Sequence, residues 1–184
     1  MAYITRQRLT AQLDGDFVVF MIGMRVNKPW KIHKWLPVFT AMPKMLRELT
    51  RQPELGLLEA RLHVANPLSP MVVEYWRSFE LLEAYAHSRD NEHLPAWRAF
   101  NKHNASNGDV GIWHETFLVK AGQYESVYNN MPIFGLAKAG TPVPATGGRT
   151  TARGRLEGEG VAPAGVPLEP GSAPTETPKA AGSK

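Results

Sequence analysis

Residues 71–88 read MVVEYWRSFELLEAYAHS, and the passage changes period at its middle. Its first half is β-branched and aromatic, as in a strand, while the second places Leu82, Tyr85 and Ala86 at helical spacing. Ser78 stands at the junction, where a helix wants an N-cap. Just upstream, residues 57–65 (LLEARLHVA) alternate Leu58, Ala60, Leu62 and Val64 against Glu59, Arg61 and His63. The turn NPLSP at 66–70 joins the two runs. A hairpin that runs into a helix ending near Arg89 is the predicted unit.

Working outward, residues 17–27 (FVVFMIGMRVN) form another strand, followed by a loop around Pro29. Trp35, Val38, Phe39, Met42, Met45, Leu46 and Leu49 then recur at helical spacing, with a kink or restart predicted at Pro43. Downstream, Asp90-Asn91 breaks the helix, a second helical piece carries Pro95 in its first turn, and residues 110–119 (VGIWHETFLV) are the last strand. The order β-α-β-β-α-β predicts an α+β, ferredoxin-like fold. Several strands are apolar on both faces: Phe17, Val19 and Met21 oppose Val18, Phe20 and Ile22, and Trp113 and Phe117 oppose Ile112 and Leu118. A sheet of that kind needs cover on both sides, which predicts a homodimer joined sheet against sheet. Residues 123–136 (QYESVYNNMPIFGL) are expected to form an arm, packed on the domain or reaching over the partner.

Composition sets the limits. All 17 aromatic residues of the 184-residue chain lie between Tyr3 and Phe134, whereas 25 of the 48 residues in 137–184 are Gly, Pro or Ala. A domain over 1–136 and a disordered tail over 137–184 are therefore expected. Without cysteine there is no disulfide, zinc-thiolate site, iron–sulfur cluster or thiol nucleophile. The polar start and the short apolar run at 17–24 predict a cytoplasmic protein with no membrane partner. The net charge of +4 is spread over both parts of the chain, and the Lys28, Lys31, Lys34 cluster reads as a solvated loop. No nucleic-acid partner is expected.

The stretches WLPVFTAMPKML (35–46), YWRSFELLEAYAHS (75–88), HLPAWRAFN (93–101), IWHETFLVKAGQYESVYNNMP (112–132) and FGL (134–136) carry a resemblance. The chain resembles the dimeric α/β-barrel, antibiotic-biosynthesis-monooxygenase-like superfamily over residues 8–136. Within it the chain is most similar to a family of monooxygenases that includes the fungal fumagillin-pathway polyketide monooxygenase. The resemblance implies a pocket in each subunit, between sheet and helices, for an apolar ligand. In haem-degrading relatives, a histidine shortly after a Tyr/Trp-x-x-Ser stretch ligates iron; here Tyr85-Ala86-His87-Ser88 precedes His93. Those relatives also use an asparagine on the first strand, and this chain has Asn27 only at its far end.

His93 is thus a candidate acid/base or haem ligand, against a plain role at a helix start. His114 and Glu115 are strand neighbours, so one of them faces any pocket and the other does not. His114 would share its face with Ile112, Thr116 and Leu118, and Glu115 would lie with Trp113 and Phe117 as a candidate base or as an ion partner of Arg25 or Arg61. Tyr75, Trp76, Trp97 and Trp113 are candidate aromatic walls for a conjugated ligand, against plain core. His33, His63 and His103 read as solvated. Three functions stay open: a small oxygenase acting on an apolar, conjugated metabolite, with or without haem; a non-catalytic ligand-binding dimeric barrel; and a haem-dependent dehydratase of the aldoxime type.

Overall fold

Strand β2 (Phe17–Val26) is the centre of the molecule. In the computed structural model, which describes residues 3–64, 66–104 and 107–157, β2 pairs antiparallel with β4 (Met71–Trp76) and with β5 (Val110–Val119). Strand β3 (Leu57–His63) pairs with the far side of β4, after a bulge between Leu57 and Glu59. The order β3-β4-β2-β5, with every pair antiparallel, is the ferredoxin-like sheet. A separate two-stranded sheet joins β1 (Leu9–Gln12) to β6 (Thr141–Pro144).

Helices α1 (Ile32–Arg51), α2 (Phe79–His87) and α3 (His93–Asn104) lie over one face of the four-stranded sheet. Val18, Phe20, Ile22, Met24 and Val26 point to that side, in register with Val72, Glu74 and Trp76 on β4 and with Ile112, His114 and Thr116 on β5. Two core clusters form there, one at each end of the strands. Val18, Leu49, Trp76, Leu82 and Tyr85 make the first. Met24, Val26 and Val110 make the second, backed by Trp35, Val38 and Phe100.

Ser78 caps α2 as predicted, its Oγ accepting from the Leu81 N–H at 3.3 Å. The break expected at Pro43 does not occur, because α1 runs unbroken for 20 residues through Pro37 and Pro43. Each proline removes a single ladder bond, and burial of Met45 and Leu49 against the sheet holds the later turns in place.

On the other face, the chain's own C-terminal part supplies the cover. The arm at 123–136 packs on its own domain: Leu9 and Tyr128 exchange backbone bonds of 2.9 and 2.8 Å, and Ser126 Oγ accepts from Ala11 N–H at 2.9 Å. Leu136 and Ala137 are buried with Ala11 and Phe17, next to Val19, Tyr75 and Tyr124. The boundary expected after residue 136 is therefore corrected. Helix α4 (Leu136–Ala139), β6, a 3-10 turn (Gly147–Thr150) and α5 (Ala152–Leu156) continue the fold. Small residues do this by close approach: a Cβ at Gly140 would collide with Leu13 and the Gln12 carbonyl, and one at Gly154 with the Gly148 carbonyl. The rest of the expected tail, 158–184, lies outside the described residues.

This cover is partial. Met21, Trp113, Glu115 and Phe117 share the strip of that face toward β5, where Trp113 lies flat against Gly23 and Phe117 is 49% exposed. Among the described residues, no helix is long and apolar enough to cross a membrane.

Candidate functional site

Between the two core clusters the helices stand off the sheet and leave a cavity of about 960 Å³. Its floor is the middle of the sheet, with Phe20, Ile22, Val72 and Ile112; α1 contributes Met42, Met45 and Leu46, and α3 contributes Trp97 and Phe100. The volume is at the upper end of the range for small-molecule pockets. Four methionines, Met24, Met42, Met45 and Met71, line it, which gives a wall able to repack around ligands of different outline. Phe39, Phe79 and Trp97 are cavity residues that are also more than 40% exposed, and they mark its opening.

The polar groups on this wall are few: Lys34, Glu83, Thr116 and the histidines His33, His87, His93 and His114. His93 opens α3 and comes from the helix layer. Its Nδ1 lies 2.9 Å from the Ala86 carbonyl. A carbonyl only accepts, so Nδ1 carries the proton and Nε2 is the free ring nitrogen of the neutral form. His114 comes from the sheet, in register with Ile22 and with its ring 5.5 Å from Phe20. Among the described residues, no group of three or more His, Cys, Asp or Glu side chains is placed to hold a metal ion.

Strand alternation sorts the other candidates. His114 is the member of its pair that faces the cavity. Glu115 is on the opposite face, in register with Met21, and has no ion pair with Arg25 or Arg61. Tyr75 and Trp113 are on that same opposite face, so neither lines the cavity: Tyr75 packs under the arm and Trp113 against Gly23. Trp76 faces the helices but is plain core, 1% exposed and bonded to Glu74. Of the four aromatic candidates only Trp97 lines the cavity. His33, read as solvated, is exposed but stands on the cavity wall near its opening. Asn27 is engaged elsewhere, its Nδ2 donating to the Gly108 carbonyl. Lys28 and Lys31 do not float on a solvated loop, because both clamp the buried Asp109 carboxylate at 2.7 and 2.8 Å.

Two features beside the cavity went unread in the sequence. Glu74 is 4% exposed and faces the helix layer in register with the cavity residue Phe20. Trp76 Nε1–H donates to its Oε2 at 2.8 Å. Burial pushes the Glu74 carboxyl up to about 7, and the indole bond opposes this only in part. The signal was present, since a lone glutamate interrupts the apolar run MVVEYW. The second feature is Glu48, whose Oε2 accepts from Tyr85 Oη–H at 2.7 Å and from the Glu92 N–H at 3.1 Å. One carboxylate thereby ties α1 to α2 and to the residue preceding His93. Burial first, then the Glu48 hydrogen bond, pushes the Tyr85 phenol well above its ordinary value and keeps it protonated.

The chain has known relatives. A family model described as Monooxygenase af470-like matches residues 17–136. Monooxygenase af470 of Aspergillus fumigatus is 30% identical over 151 residues, covering 71% of this chain and 53% of that protein. The chain thus spans about half the length of this curated relative. Among solved structures, aldoxime dehydratase in complex with butyraldoxime superposes with a TM-score of 0.57 at 15% identity, over 73% of this chain and 39% of the dehydratase. That likeness shows a shared fold. A cofactor-independent oxygenase of Streptomyces nogalater is also similar, with a TM-score of 0.40 at 15% identity over 55% of this chain and 91% of its own.

Proposed function

The chain belongs to the Monooxygenase af470-like family, and from that premise we propose that it is a small oxygenase-type protein taking an apolar, conjugated metabolite into the cavity between sheet and helices. The observation that carries this reading is the cavity itself: about 960 Å³, walled by Phe, Ile, Leu and Met side chains, with an imidazole on each of two facing layers. An extended or polyene skeleton would be held by dispersion and by stacking on Trp97 and Phe100, whose rings are themselves stacked 5.7 Å apart. Of the cavity's titratable groups, His93 and His114 stand on the two facing layers and would take or return a proton there. The substrate, rich in electrons, would be the partner of dioxygen.

A second reading, a haem-dependent dehydratase, is favoured by one observation, the Nδ1–H bond of His93. That bond sets the tautomer in which a histidine ligates metal through Nε2. An apolar cavity with such a histidine fits a haem. His93 would then hold the iron, and the haem would supply Lewis-acid or redox chemistry to the ligand.

The uncovered strip around Met21, Trp113 and Phe117 supports a homodimer in which a second copy completes the cover. A cytoplasmic location belongs to the same reading.

Titration with a fluorescent conjugated tetraenoic acid tests the cavity, and oxygen uptake on polyene and phenolic compounds tests the reaction. Binding and uptake by the wild type, with uptake lost in His93→Ala or His114→Ala, is the expected result. Binding with no uptake would leave a non-catalytic ligand carrier. A Soret band that forms with added haem and is lost in His93→Ala would put the dehydratase reading ahead.

A further inference from the structure

The surface beside the cavity opening has a composition that the catalytic reading does not use. Trp30 is 74% exposed and Ile32 54%, and Leu36 is also exposed; none of the three lines the cavity, although their neighbours His33, Lys34 and Pro37 do. Helical spacing aligns Ile32 and Leu36 with the rim residue Phe39, while Lys44, Arg47 and Arg51 form the adjoining stripe. Trp30 is not exposed because its loop is loose. The Asn27 and Lys28 N–H groups both bond the Asp109 carbonyl at 3.0 and 3.3 Å, the Lys28 and Lys31 ammonium groups grip its carboxylate, and Trp35 Nε1–H donates to the Pro29 carbonyl at 2.9 Å. A pinned loop that still turns a tryptophan outward loses little entropy when the tryptophan is buried by something else.

The charge around the opening says what that something is. Helices α1 and α3 carry Lys44, Arg47, Arg51, Arg98 and Lys102 against a single carboxylate, Glu48, which is turned to Tyr85 and Glu92. Helix α2 borders the opening through Phe79 and brings the carboxylates Glu80 and Glu83, which still leaves basic groups in excess there. Exposed Trp, Ile, Leu and Phe interleaved with lysine and arginine are the composition of a segment that lies in a lipid–water interface, its rings and alkyl groups among the acyl chains and its cations at anionic headgroups.

We propose that the Trp30–Phe39 rim docks the protein on an anionic lipid surface, with the cavity opening facing the bilayer that dissolves an apolar substrate. This is peripheral docking, a possibility not covered by the expectation of no membrane partner, which rested on spanning segments. Only the purpose of docking rests on the cavity reading; the docking itself does not.

Sedimentation of the full chain with phosphatidylcholine vesicles, with and without phosphatidylserine, tests it. The wild type should sediment with the phosphatidylserine vesicles at low salt and be released at high salt. Trp30→Ala with Ile32→Ala should weaken that binding about tenfold or more. Lys44→Glu with Arg47→Glu should abolish the preference for phosphatidylserine. Absence of wild-type sedimentation, or binding unchanged in the Trp30/Ile32 variant, overturns the proposal. So does a change in the mass of the free protein in that variant, since the patch would then be a protein contact. The Trp30/Ile32 variant should still bind the soluble tetraenoic acid like the wild type. If neither protein binds it, the cavity reading fails while the vesicle result stands.

Discussion

Replacing Glu74 by glutamine should make the protein more stable at pH 8 and slightly less stable at pH 4.5. In the folded protein the carboxyl is buried under the helix layer and titrates at about 7, against an ordinary value of 4.5. A carboxyl raised in this way works against stability as pH rises. Between 4.5 and 7 the unfolded chain gives up the proton while the folded chain retains it, so unfolding is progressively favoured. The gap of about 2.5 pH units, at about 1.4 kcal/mol each, amounts to about 3–4 kcal/mol, of which about 3 has accrued by pH 7 and the rest by about pH 8. Glutamine keeps an oxygen for the Trp76 N–H but adds amide protons that lack partners, which costs about 1 kcal/mol at every pH. The expected difference between variant and wild type therefore runs from about −1 kcal/mol at pH 4.5 to about +2 kcal/mol at pH 8. Urea unfolding of both proteins across this range measures it, and other titrating groups cancel because both proteins share them. A difference independent of pH would refute the reasoning, since Glu74 would then titrate alike in the folded and unfolded chain.

Asp109→Asn should lower the melting temperature at pH 7. The Lys28 and Lys31 ammonium groups hold the Asp109 carboxyl at about 2, so the wild-type advantage is present above 3.8 and is lost as pH falls toward 2; melting curves at pH 7 and near pH 2 should diverge and then converge. A chain ending at residue 136 should be less stable than one ending at 157 by on the order of 2–3 kcal/mol, from the buried Ala137 and Ala145 and the lost β1–β6 pair. Equal urea midpoints would contradict this. Phe117→Asp, on the uncovered strip of the sheet, should convert a dimer to a monomer in sedimentation velocity, and a wild type already monomeric at micromolar concentration would argue against the second copy. Ser78→Ala should cost about 1 kcal/mol through loss of the α2 cap, readable as a shift in the unfolding midpoint.

Local chemistry was enough to locate the elements. The change of period within 71–88, the cap at Ser78 and the alternation in 57–65 each depend on residues within a turn or two of one another, and each element is found close to where it was expected. His93 and His114 were likewise singled out, the first by its place before an apolar helix face, the second by strand alternation. Alternation alone could not say which of His114 and Glu115 meets the cavity, because period two separates two faces without naming them. Pairing did that, by setting His114 against Ile22 and Glu115 against Met21. Tyr75 and Trp113 fell to the far face for the same reason.

What the sequence determined by itself is the elements of the β-α-β-β-α-β core, their order and the absence of cysteine chemistry, because these follow from composition and short-range spacing. Only the tertiary structure decided where empty space and buried charge would fall. The cavity exists because two core clusters close the ends of the helix–sheet interface and leave its middle open, a property of side chains as far apart in the sequence as Phe20 and Thr116. Glu74 is raised to about 7 because burial beneath the helix layer excludes water from it, which no property of the segment MVVEYW contains. Composition also misjudged residues 137–157: poverty in large side chains was read as inability to pack, whereas glycine and alanine pack by letting backbone meet backbone.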